Sequence, residues 1–150
     1  MVQKGSLTRD LARDLTRRSD WRARLSHALD IQRDHPFEWG RHDCGLGLAA
    51  GAVEAITGAD LRPAWANYKT PTGALRVLRK AGYESLGDAM AALLPEAHPA
   101  FAQIGDLALL DGEGQIGALG VIDISSVIVL DKTGHARVPR DQIKRAFKVG

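Results

Sequence analysis

Trp39-Gly40-Arg41-His42-Asp43-Cys44, followed by Gly45-Leu46-Gly47-Leu48-Ala49-Ala50-Gly51-Ala52-Val53, is the stretch on which the fold turns. After Asp43, apolar residues recur at helical spacing through Leu46, Leu48, Ala49, Val53 and Ile56, and Gly58 stands where a left-handed C-cap belongs. Cys44 therefore falls in the first turn of a helix. Unpaired backbone N–H groups and the positive end of the macrodipole favour thiolate there, while the neighbouring Asp43 opposes it and Arg41 assists it. Each glycine inside a helix costs about 0.5–1 kcal/mol relative to alanine, so a run with Gly45, Gly47 and Gly51 predicts a slim helix that another backbone approaches closely. A buried helix lying on a sheet is the natural setting.

Upstream, Trp21, Leu25, Ala28, Leu29 and Gln32 mark an earlier helix, with Ser19 and Asp20 as N-cap candidates and His35-Pro36 as its limit. Residues 1–19 alternate Arg with Asp over a weak leucine stripe, Leu7, Leu11 and Leu15, and read as a polar charged extension or docking arm. Downstream, Thr70-Pro71 opens a helix closed by Gly82, and Leu86, Met90, Leu93 and Leu94 mark another that ends before Pro95. Then the texture changes. Gly105–Leu110, Ala118–Ile122, Ser126–Leu130, Ala136–Val138 and Arg145–Val149 are short apolar runs separated by Asp- and Gly-rich turns, which predicts an antiparallel meander. Helices first and strands afterwards give an α+β domain over 20–150, its helical N-terminal half packed on a C-terminal antiparallel sheet.

A length of 150 residues suits one domain, and a net charge of +2 argues for neither a nucleic-acid nor a membrane-surface partner. A lone cysteine forms no internal disulfide, and the N-terminus shows neither an apolar signal core nor a span-length apolar run. No glycine-rich phosphate loop and no metal-ligand spacing is found, so the expectation is no cofactor and no metal.

Pro36-Phe37-Glu38-Trp39-Gly40-Arg41-His42-Asp43-Cys44, Thr57-Gly58, Tyr68, Gly82, Gly105-Asp106-Leu107, Ala118-Leu119-Gly120-Val121 and Val138-Pro139…Ala146-Phe147-Lys148-Val149 together resemble a family of small phage-encoded proteins. That family is distantly related to NlpC-like cysteine peptidases of papain-like fold. The resemblance spans roughly residue 21 to the end and implies a cysteine, Cys44, that attacks a peptide carbonyl. A histidine on the adjoining sheet would take its proton and a third polar residue would orient that histidine. NlpC-like enzymes carry this base at the start of a strand after the Gly-Asp-Leu strand, in a His-Val-Gly-Ile type sequence. Here Ala118-Leu119-Gly120-Val121 stands in its place, and alanine accepts no proton.

His42 and His135 are the substitute bases the chain offers, against readings as a loop and a hairpin histidine; His27 and His98 have no motif around them. Trp39 and Asp43 are expected to support the loop before the helix. Cys44 is then either a nucleophile or a small buried hydrophobe. Two functions follow from the resemblance. One is a structural or assembly component of a phage-type tail, at its tip or hub region, made in the cytoplasm of a bacterial host and built into the particle. Its partners are other tail or particle proteins. The alternative is a cysteine peptidase or amidase acting on the peptides of peptidoglycan.

Overall fold

The computed structural model describes residues 15–62, 68–112 and 116–150. Helix α1 spans Trp21–Gln32; α2 begins as a π-helix over Cys44–Ala49 and continues as an α-helix over Ala50–Thr57; α3 is Pro71–Lys80 and α4 is Leu86–Leu93. The strands are β1 Glu96–Ala97, β2 Leu107–Leu110, β3 Ala118–Ile122, β4 Ser126–Asp131, β5 Gly134–Pro139 and β6 Arg145–Phe147. They form one six-stranded antiparallel sheet in the order β1-β6-β2-β3-β4-β5.

The helix ends follow their local chemistry. Thr70 caps α3 by accepting from the Gly73 N–H at 2.9 Å, Ser85 caps α4 from the Asp88 N–H at 3.1 Å, and Gly58 ends α2 at φ +87°. Asp20 departs from expectation. It precedes α1 but makes no cap, because its carboxylate pairs with Arg24 one turn on at 2.9 Å.

The expected meander holds for β2 to β5 and fails for β6. Instead of extending the sheet beyond β5, β6 returns to the far side of β2, pairing Leu107 with Phe147 and Ala108 with Ala146. Period-two alternation explains the choice, since this register keeps the large Phe147 on the helix-facing side of the sheet. On that side Leu107, Leu119, Val121, Ile128 and Phe147 join Leu48, Val53, Ile56, Met90 and Leu93 in the main core. The opposite face makes a smaller core of Ala108, Leu110, Ile122, Val127 and Ala146, covered in part by Val138 and Ile143. Gly120 faces this second core. A Cβ there would come within 2.5 Å of Val127 Cγ1 and 2.8 Å of the Ile128 carbonyl oxygen, so only glycine lets β4 lie so close.

Residues 15–18, counted above with the extension, touch the domain. Leu15 packs on the main core, the Arg18 N–H donates to the Ile56 carbonyl at 2.9 Å, and Arg17 reaches the C-terminal segment. Residues 1–14 of that segment lie outside the described residues. Among the described residues, no helix is long and apolar enough to cross a membrane.

Candidate functional site

The head of α2 is organised by Asp43, whose side chain is almost wholly buried at 1% exposure. Its Oδ1 accepts from the N–H groups of Gly45 at 3.1 Å and Leu46 at 2.7 Å, capping the helix. Oδ2 accepts from the Gly40 N–H at 3.0 Å and the Tyr68 hydroxyl at 2.6 Å. One carboxylate thus fixes the helix start, the incoming loop and a tyrosine brought from 25 residues away. Gly40 is required for the same reason. At φ +84° its backbone lies on the Tyr68 carbonyl, where a Cβ would come within 1.9 Å of the oxygen. Trp39 closes the loop by edge-to-face contact with Phe37, centroids 4.9 Å apart, and with Tyr68, 6.4 Å apart.

Cys44 follows in a partly buried position, in a cavity of about 30 Å³ lined by Trp39, Tyr68, Val77, Leu78 and Ile116. That is room for about one water and not for a peptide. Burial pushes the thiol up to about 11; the adjacent Asp43 charge adds to this, while the Leu119 N–H on β3 and the N–H groups of Cys44 and Gly45 oppose it. Of the two opposing influences at the helix start, burial and Asp43 prevail over the helix end. Asp43 already holds the Gly45 and Leu46 N–H groups, and enclosure outweighs what remains of the positive helix end. Near neutral pH the residue is a thiol. Burial, and then the hydrogen bond to Asp43, drive the Tyr68 hydroxyl well above the usual tyrosine range, so it stays protonated as a donor.

What faces the sulfur is the start of β3, through the backbone of Leu119. No histidine lines this cavity among the described residues. His42 turns onto the other side of α2, where its ring lies against Gly47: a Cβ added there would be 2.4 Å from Nδ1. Its ring neighbour is His35, centroids 5.6 Å apart, and its charge is felt by His135. The two substitute bases read from the sequence are thus brought together with each other and away from Cys44. This also refines the reading of the slim helix. Gly47 admits the ring and the backbone of His42, whose Cα would be 3.0 Å from a Cβ there, and Gly51 admits a side chain, Gln32.

Sequence reasoning gave no role to a second buried carboxylate. Asp106, in Gly105-Asp106-Leu107, is 1% exposed and pairs with Arg17 at 2.9 Å. It also accepts from the Val149 N–H at 3.1 Å and the Gln103 N–H at 2.9 Å. Arg17 completes the unit by donating to the carbonyls of Val149 at 2.9 Å and Ile104 at 2.7 Å. The only signal for it was the Gly-Asp-Leu element, which marks the place without naming the partner. Likewise nothing in the spacing pairs Tyr68 with Asp43. No group of three or more His, Cys, Asp or Glu among the described residues is arranged to hold a metal ion.

A family model described as a domain of unknown function (DUF6950) matches residues 16–149, and the chain belongs to that family. A comparison with curated proteins gave no match.

Proposed function

We propose that this DUF6950 protein is a non-catalytic structural domain, a degenerate NlpC-like framework that serves as an assembly component of a phage-type tail, at its tip or hub region. The observation that carries the reading is the surface opposite Cys44 Sγ. A general base must stand within hydrogen-bond reach of the thiol it activates; the Leu119 backbone meets this thiol, and no histidine lines its cavity among the described residues. Three further features support it. The thiol is raised, the cavity is too small for a substrate, and the one carboxylate beside it has both oxygens engaged by four donors. The tail setting rests on the resemblance of the Trp39–Cys44, Gly105–Leu107 and Ala118–Val121 elements.

The test uses the full chain on purified peptidoglycan, with an assay range of about 10²–10⁴-fold above background, the span that general acid–base catalysis typically supplies. The expected result is no peptide release by the wild type, and particle assembly unchanged by Cys44→Ala. Release that disappears in Cys44→Ala overturns the proposal in favour of a cysteine peptidase or amidase.

A further inference from the structure

Gln32, His42 and His135 each bury a side-chain atom, Oε1, Nε2 and Nε2, that meets no hydrogen-bond partner among the described residues. These atoms belong to three parts of the chain that converge: the end of α1, the loop into α2 and the start of edge strand β5. The backbones are pressed together there. The His135 N–H donates to the Arg33 carbonyl at 3.1 Å, and a Cβ on Gly134, which sits at φ +128°, would come within 2.2 Å of that same oxygen. His35, in the turn that leaves α1, meets the His42 ring edge-on.

We propose that His42 and His135, with His35 beside them, form a proton-sensitive latch that holds the end of α1 on edge strand β5 at neutral pH and releases it on acidification. Each added proton would enter a half-buried site that already faces the positive charges of Arg33 and Arg137. From the end of α1 come Arg33, paired with Asp30, and Asp34; from β5 comes Arg137, paired with Asp123. From the loop come His35 and Asp43, the latter already engaged by Tyr68 and backbone N–H groups. Burial first, and then the neighbouring His35, holds His42 below the ordinary histidine value, with Asp43 opposing. Burial first, then His42, Arg33 and Arg137, does the same for His135, with Asp34 opposing. The sign follows. Neutral imidazoles are favoured in the closed form, so the latch is complete above the unfolded value of about 6.5 and weakens as the pH falls below it.

What opens is the outer edge of β5 at its start, where the amide released from Arg33 can pair with another strand. The experiment is imidazole-resolved NMR titration of the full chain, with amide hydrogen exchange at pH 7.5 and pH 5.0 corrected for intrinsic rates. His42 and His135 are expected to titrate below 6.5. The His135 amide is expected to lose about tenfold or more of its protection in acid, while Leu107–Leu110 of β2 keep theirs. The His42→Gln/His135→Gln double variant should flatten that pH dependence; if it does not fold, the wild-type titration decides alone. Titration of both rings at or above 6.5 overturns the latch. So does unchanged protection at His135, simultaneous loss of protection across β2, or an undiminished acid response in the folded double variant.

Discussion

Asp43 and Asp106 are both buried, both lie in motif-like stretches, and each joins segments far apart in the sequence, yet they are held by different chemistry. Asp106 has a cation, Arg17, and two backbone N–H groups. Asp43 pairs with no cation among the described residues and is held by three backbone N–H groups and a tyrosine hydroxyl. A carboxylate can thus be buried at a chain junction either by charge pairing or by neutral donors alone. The difference bears on the thiol: with no cation between them, the Asp43 charge acts on Cys44 and disfavours thiolate. At the head of α2, the device that builds the helix is also one that quiets the cysteine.

The comparison can be pressed hardest at Asp106. Asp106→Ala leaves Arg17 enclosed without its partner and should cost about 3–5 kcal/mol in chemical denaturation, whereas Arg17→Met/Asp106→Asn together should cost clearly less than the sum of the single changes. Asp43→Ala removes no ion pair. It strands a helix start and a loop, and we expect about 2–3 kcal/mol from the lost cap and the unsatisfied donors. An equal loss at the two sites would erase the distinction between charge and neutral capture. Tyr68→Phe deletes one bond to Asp43 and should cost about 1–2 kcal/mol, with the fold intact by circular dichroism.

The smallest effect is expected at Cys44. Cys44→Ala removes little volume and should change stability by about 1 kcal/mol. Because enclosure raises the thiol from 9.0 to about 11, alkylation of the native protein should be slow at neutral pH and rise only in alkali. The linked stability has a definite sign. The contribution of the neutral thiol is present below pH 9.0 and is lost as the pH climbs towards about 11. Rapid labelling at pH 6 would show that Asp43 does not quiet the sulfur.

The helical half was legible because its signals are local. Thr70, Ser85 and Gly58 act within one turn of themselves, and the Asp43–Cys44 junction sits at the head of α2 as its spacing requires. The return of β6 to β2 was not legible. The turn after β5 permits either neighbour, and the choice is made by where Phe147 can be buried. β1 was missed for a related reason: Glu96 and Ala97 carry no strand pattern and exist as a strand through pairing with β6. At the site, the cysteine and its capping carboxylate were readable, and so was the alanine on β3. The seat of the His42 ring against Gly47 was not, because it depends on the space that glycine leaves.

Arg17 donates to the carbonyl of Val149, 132 positions along the chain, and Gly150 lies so close that a Cβ on it would be 2.8 Å from the Arg17 nitrogen. In mechanical terms residues 15–150 hang as a loop whose two limits are clasped together. Tethers placed at residues 15 and 150 would pull from neighbouring points, loading the Arg17–Asp106 pair early. The same adjacency makes the fold a candidate for circular permutation, with Gly150 spliced by a short linker to Leu15 and new ends opened in a distant turn.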